Sequence, residues 1–460
     1  MYRIIFVTTL LLVLVFSNLQ GQNSVLDQYL NEALKSNIAL QQKNLSYKKS
    51  LAALEEAKAR FYPSLSIQAR YSVARGGRTF DLPLGDLMNP VYNNLNLVNQ
   101  ASQASIPDYP EVPLFPEIEN QQVNFLRETE HETALRMVFP IFNSAILNGH
   151  RIQQNVSEAD RLSVDIYKRE LVKEVKTAYF NYLKAQEAVT LFENTILLVE
   201  ENLRTTKSLN KYDKVTVDVV YAAEAEVKRV EQQLAEAEKN QSIAQAFFNF
   251  LLNRDYEAPI QVDALASKAV STVSLESAQN SARQGRQEIQ QFNYFLAATD
   301  GKIRMSKGDY LPQLNLVTDY GFQGTSYSFG AEDDYFLGSV VMSWTLFNKP
   351  TKAKVEQAEL EKQILQQKKT EVQRQIGLQV INTYHAMNAA LKSIELAKSE
   401  EASAQKAYKL VEKKFRQGQA NLVELTNART QLTNASQQKI IAQYDYQIRL
   451  AEFENASNAY

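Results

Sequence analysis

The chain carries one structural plan twice, and the two copies are related by two different spacings. Around Pro63 it reads Ala59-Arg60-Phe61-Tyr62-Pro63-Ser64-Leu65-Ser66-Ile67, and around Pro312 it reads Gly308-Asp309-Tyr310-Leu311-Pro312-Gln313-Leu314-Asn315-Leu316, an offset of 249 residues. Each is a helical stretch stopped by an aromatic residue and Pro, then an alternation of polar and apolar positions. Further on the offset is 205, mapping Phe142-Asn143 onto Phe347-Asn348, Ala178-Tyr179 onto Thr383-Tyr384 and Ala223 onto Ala428. Landmarks that hold one offset over 81 residues mark a duplication. The difference, 249 − 205, places 44 extra residues in the first copy, between its two strand-like segments. Residues 76–120 are crowded with Pro83, Pro90, Pro107, Pro110, Pro113 and Pro116, and the composition predicts a long loop.

Most of both copies is helical in pattern. The first repeat, 23–252, holds long segments at 146–211 and 217–252; the second, 271–455, holds them at 351–416 and 421–455. All are rich in Ala, Leu, Gln, Glu and Lys and lack an internal Pro. Residues 24–61 and 271–308 open the two repeats in the same way, 253–270 connect them, and 456–460 form a tail. A helix of about 66 residues extends roughly 100 Å and needs lateral partners, as in coiled-coil packing.

Four segments switch to a period of two, at about 64–75, 128–140, 313–322 and 335–346. Leu65, Ile67, Ala69, Tyr71 and Val73 alternate with Ser66, Gln68, Arg70 and Ser72, and Leu314, Leu316, Thr318 and Tyr320 with Gln313, Asn315 and Asp319. The return strands set Leu135, Met137 and Phe139 against Ala134 and Arg136, and Val340, Met342 and Trp344 against Ser339 and Ser343. This is the alternation of a membrane β-strand with one lipid face and one lumen face. Beyond the leader no run of eighteen apolar residues occurs, so the route into a membrane is a closed barrel rather than a helical bundle. Four strands cannot enclose a lumen, so the chain must oligomerise. Pro63, Pro140 and Pro312 mark the helix–strand junctions, where Phe61, Tyr62, Phe139, Phe142, Tyr310, Trp344 and Phe347 suit an interfacial girdle.

Arg3, the apolar run from Ile4 to Phe16 and the small polar stretch that follows read as a signal peptide over residues 1–22. With no Cys, disulfides and thiolate chemistry are excluded, and a net charge of −2 gives no support to nucleic-acid binding. His131, His150 and His385 lie at no metal-ligand spacing, and no P-loop or nucleophile elbow is present. The expectation is a protein that is not an enzyme and needs no cofactor or metal. A secreted or periplasmic coiled-coil scaffold without a pore is the competing reading. It requires the alternating segments to form a soluble sheet.

Taken together, the duplicated junctions, Phe139-Pro140-Ile141-Phe142-Asn143, its partner Trp344-Thr345-Leu346-Phe347-Asn348, and Phe415-Arg416-Gln417-Gly418 followed by Leu422, Glu424, Leu425 and Ala428 resemble the TolC-like outer-membrane efflux factors. The resemblance covers essentially the whole mature chain. It implies a mainly helical fold with a membrane β-barrel: a homotrimer sharing twelve strands in the outer-membrane lipid, its helices forming a periplasmic α-barrel with an equatorial band around residues 253–274. It also implies an exit duct of a tripartite efflux or type I secretion system that docks a periplasmic adaptor and an inner-membrane pump. Periplasmic tip turns would lie at Gly418 with Asn421 as helix cap, and at Asp213 with Thr216. Because Asp213 replaces Gly, the first tip is expected to differ in backbone geometry. The family's two acidic gate positions fall on Glu424 and Asn427, and its basic latch position on Ala420.

Overall fold

A computed structural model describes residues 24–263 and 273–459. The signal peptide of residues 1–22, residues 264–270 of the connecting segment and Tyr460 of the tail lie outside the described residues. These fall into two compact units, one built from residues up to 56, 148–304 and 353 onward, the other from 57–147 and 305–352.

The first unit is helical. In chain order the helices are α1 (Val25–Ser36), α2 (Ile38–Ala59), α3 (Leu84–Ser105), α4 (Ser144–Lys211), α5 (Val217–Leu251), α6 (Leu275–Gly285), α7 (Gln287–Lys307), α8 (Lys349–Arg416) and α9 (Leu422–Ser457); α3 belongs wholly to the second unit. The long helices pack through narrow stripes. Tyr29, Tyr179 and Phe248 meet ring to ring around buried Leu171, Val175 and Leu252, while Ile376, Val380, Met387 and Phe453 form the corresponding core of the second repeat.

The opening helix of each repeat, expected to be continuous over 24–61 and 271–308, is broken instead. The breaks fall at Asn37 (ψ 122°) and Arg286 (ψ 122°), themselves 249 residues apart. Each buried side chain reaches the carbonyl end of another helix. Asn37 Nδ2 donates to Leu251 O at 2.9 Å, and its Oδ1 accepts from Leu40 N–H at 2.9 Å, capping α2. Arg286 Nη1 donates to Asn455 O at 3.2 Å and Ala456 O at 3.1 Å. Leu251 and Ala456 are related by the 205 offset, so one clasp is built twice with different side chains. A helix end has four orphan carbonyls, and meeting them offsets the hydrogen bonds lost at the break.

The second unit holds a four-stranded antiparallel sheet in the order β1 (Ser64–Val73), β4 (Thr129–Phe142), β5 (Gln313–Gly324), β6 (Asp334–Ser343). The register pairs Ile67 with Leu135, Leu135 with Tyr320 and Tyr320 with Phe336, so one face is apolar across all four strands. It is exposed: Ile67 is 76%, Phe336 72% and Val340 65% accessible. The other face carries Ser66, Gln68, Arg70, Glu132, Arg136 and Asp319. Pro140, expected at a junction, lies inside β4, where the register against β5 shifts between Pro140 and Phe142; a bulge accommodates a residue with no N–H to give the ladder. Helix α4 then starts on Asn143, whose Oδ1 accepts from Ala145 N–H at 2.9 Å.

The long loop expected over 76–120 is instead organised. Strands β2 (Thr79–Leu82) and β3 (Gln121–Asn124) pair antiparallel, and the 22-residue α3 lies between them in sequence. Asparagines hold the return segment to α3. Asn89 Nδ2 donates to Ile118 O and its Oδ1 accepts from Ile118 N–H, both at 2.9 Å; Asn96 exchanges the same two bonds with Phe115 at 3.0 and 2.8 Å. Asp86 and Asn120 add a third rung, and the Tyr92 ring stacks on Phe115 at 5.0 Å. Gly85 permits the close approach, since a Cβ there would sit 2.4 Å from Ile118 O. On the face of α3 that meets the return segment, asparagines thus take the place of the apolar residues that normally pack a helix.

Candidate channel wall and tip turns

The α4–α5 and α8–α9 turns are equivalent, which corrects the expectation of a distinct first tip. Asp213 (φ 55°) and Gly418 (φ 73°), 205 residues apart, are both left-handed. Asp213 N–H donates to Asn210 O at 2.9 Å and Lys214 N–H to Leu209 O at 2.9 Å; Gly418 N–H donates to Phe415 O at 3.0 Å and Gln419 N–H to Lys414 O at 2.9 Å. Both are Schellman closures, and Asp is among the few side chains that enter the left-handed region at modest cost. The following caps differ. Asn421 Oδ1 accepts from Glu424 N–H at 2.9 Å, whereas the Thr216 side chain makes no capping bond. Instead Asn210 Nδ2 crosses the first turn to Val215 O at 2.8 Å.

Glu424 and Asn427 are both exposed on the first turns of α9, and Ala420 packs against the small core of Tyr408, Phe415 and Leu425. Lys207 pairs across from α4 to Glu224 of α5 at 2.8 Å, and Arg416 pairs along α8 with Glu412 at 2.8 Å, so both cations are held by carboxylates of the same protomer.

Two turns deeper lies a charged group that sequence reasoning did not single out. Arg429 of α9, 3% exposed, forms an ion pair with Glu226 of α5, which also pairs with Arg229 at 2.6 Å. Burial lowers the Arg429 pKa against the raising effect of Glu226. Tyr408, buried beside it, is pushed up by desolvation. A second such group joins Arg169 of α4 and Arg286 to Glu288, at 2.5 and 2.7 Å, with Asn455 Oδ1 accepting from Arg169 Nε at 2.8 Å. In both cases one buried arginine comes from a helix distant in sequence, Arg429 to Glu226 and Arg169 to Glu288, and each helix alone reads as a solvated face.

On the polar face of the sheet, Arg136 makes a bidentate pair with Asp319, Nε to Oδ1 and Nη2 to Oδ2 at 2.7 Å each. Glu132 accepts from Arg70 at 3.1 Å and from the Tyr335 hydroxyl at 2.9 Å. On the apolar face, at the strand ends remote from the prolines, His131 stacks on Tyr327 at 4.6 Å, and Phe329 packs edge-on to Phe322 and Tyr327. The aromatics at the junctions therefore have a counterpart at the other end of the sheet, which the sequence analysis missed because Tyr327 and Phe329 sit in the β5–β6 turn.

A sheet with one exposed apolar face, an opposite face laced with ion pairs, and two outer edges on β1 and β6 defines a class: a protomer that completes a membrane barrel with copies of itself. A family model described as outer membrane efflux protein matches residues 278–459. The Escherichia coli (strain K12) outer membrane protein TolC is 24% identical over 366 residues, covering 73% of this chain and 71% of that protein. Among solved structures, the Campylobacter jejuni CmeC outer membrane channel aligns with a TM-score of 0.75 at 15% identity, over 94% of this chain and 85% of that one. CusC, which forms a transmembrane channel, aligns with a TM-score of 0.75 at 16% identity, over 95% of this chain and 92% of that one. Over residues 278–459 the chain matches the outer membrane efflux protein family, and it is similar to TolC over most of both chains. Its fold, mostly helical with a four-stranded sheet, is that of these outer-membrane efflux proteins. The family is one of channels, not enzymes.

Proposed function

We propose that three copies of this chain form a passive exit duct through which a tripartite efflux or type I secretion assembly moves solutes out of the periplasm. The observation that carries this reading is the two-faced, open-edged sheet. An apolar face of this extent does not survive in water, and lipid accepts a sheet only when every edge is paired. Four strands from each of three copies close twelve, with the Arg136–Asp319 and Arg70–Glu132 pairs turned to the lumen. A soluble coiled-coil scaffold would leave the face of Ile67, Phe336 and Val340 uncovered.

Energy for transport comes from a partner, an inner-membrane pump joined through a periplasmic adaptor. The turns at Asp213–Thr216 and Gly418–Asn421 are the docking points for that adaptor, and Glu424 with Asn427 forms the selecting ring. Three Glu424 carboxylates around one axis attract cations and repel one another. Reconstitution of the purified protein in planar bilayers tests the duct. The expected result is trimer-dependent conductance, and a stable trimer that conducts nothing would overturn the reading. Co-purification from membranes then tests the adaptor.

A further inference from the structure

The organised insertion between β1 and β4 presents an apolar stripe that remains exposed among the described residues. On α3, one face carries Gly85, Asn89, Tyr92 and Asn96 against the return segment. Beside it Leu87, Val91, Leu95 and Val98 recur at helical spacing, and they are 65%, 50%, 43% and 57% exposed. The asparagine rungs fix which face is clasped, so the stripe is held outward.

Strand direction indicates what covers it. β1 runs away from Pro63 and leads directly into the insertion; β6 runs back from the β5–β6 turn. In a barrel closed by copies, the outer edge of β1 pairs with the outer edge of β6 of the next copy. The up-and-down alternation is continued only if that pairing is antiparallel. The Val73 end of β1 then meets the Asp334 end of β6 in the neighbour. That end carries its own exposed aromatics: Tyr327 at 56%, Phe329 at 57% and Phe336 at 72%. Charge favours a protein surface over a headgroup layer, because α3 contains a single charged residue, Asp86, and no cation to meet anionic lipid.

We infer that the Leu87–Val91–Leu95–Val98 stripe docks on the β5–β6 aromatic turn of the adjacent copy in the trimer, making the insertion a brace across the protomer interface. This rests on the trimeric barrel of the proposed function. It adds a contact outside the strands that bears on assembly rather than on conduction.

The chain has no native Cys, so paired substitutions report cleanly. Val91→Cys or Leu95→Cys is combined with Ser328→Cys in the full-length protein in native membranes and treated with a mild oxidant or a short bis-maleimide. Leu97→Cys, on the far side of α3, replaces the stripe cysteine in the control pair. The expected result is a shift of the stripe pairs, but not the control, to covalent dimer and trimer. A companion variant, Leu87→Gln/Val91→Asn/Leu95→Gln/Val98→Asn, should lower the temperature at which the detergent-resistant trimer dissociates. Stripe cysteines that join α3 to α3, that stay open to a water-soluble maleimide, or that are shielded by lipid without cross-linking would each overturn the docking site while the trimer persists. Absence of any trimer from the unmodified protein would instead overturn the barrel reading.

Discussion

Asp213 and Gly418 occupy the same left-handed position in the two helical turns and anchor the same pair of backbone hydrogen bonds, although one has a side chain and the other has none. The open space around Gly418, with no atom within 4 Å of an added Cβ, makes its role conformational rather than steric. Gly418→Val therefore costs about 1–2 kcal/mol from backbone strain alone. Asp213→Gly is expected to be close to neutral. Amide exchange of residues 414–419 and 209–214 checks both: faster exchange at the second tip only in Gly418→Val, and little change at the first tip in Asp213→Gly. Equal loss at both tips would show that the turns are not independent.

Arg429 and Glu226 join α9 to α5 where water is largely excluded. Removing one partner leaves a buried charge without compensation, so Glu226→Gln should destabilise the helical unit by about 3–5 kcal/mol. The paired replacement Arg429→Met/Glu226→Leu removes both desolvation costs and should recover most of that loss. Denaturant titrations of the two single variants and the double variant give the coupling directly. Additive effects would show that Arg229 or Thr430, which also touch this group, carries the interaction instead.

What the sequence revealed and what it hid follow from the range of the interactions involved. Strand alternation and the Gly418 turn are written in neighbouring residues, and the 205 offset carries them from one repeat to the other. Asn253 (φ 54°) and Asn458 (φ 59°), which end α5 and α9, keep that offset too and were a readable signal. The breaks at Asn37 and Arg286 were not readable in this way. No Gly or Pro stands at Asn37, and the lone Gly285 before Arg286 is of a kind that helices tolerate, while the compensating carbonyls lie 214 and 170 residues away. The two side chains share only the ability to donate. Helix α3 escaped because Pro90 and a run of asparagines resemble a loop, and only the paired bonds to Phe115 and Ile118 show their purpose.

Glu288 gives the helical unit an acid limit. Burial raises its pKa, but the Arg286 hydrogen bond and the charges of Arg286 and Arg169 outweigh this and hold it below the ordinary glutamate value. A carboxylate depressed in the folded state contributes stability that is fully present above its unfolded pKa and is lost as pH falls through the lower folded value. The melting temperature should therefore hold from neutral pH down to about 5 and fall below about 4.5. Glu288→Gln should be less stable than the parent at pH 7 and should lose less on acidification. A variant that retains the full acid-induced loss would place the limit in another carboxylate.

Glu424 and Asn427 stand one helical turn apart on α9, both exposed, with Asn421 fixing the first turn through its bond to Glu424 N–H. In the trimer proposed above, the ring at this level carries three carboxylates from Glu424 and none from Asn427. Interactions between exposed charges are screened beyond a Debye length, about 10 Å at 0.1 M salt and about 30 Å at 0.01 M. Cation preference set by this ring should therefore be strong in dilute electrolyte and fade as salt rises. Glu424→Gln should abolish the dilute-salt preference, measured as the reversal potential across a bilayer with a salt gradient. Asn427→Asp should extend the preference to higher salt by adding a second acidic ring. Unchanged reversal potentials in both variants would place selection elsewhere, with the Glu132 and Asp319 carboxylates of the barrel face as the next groups to substitute.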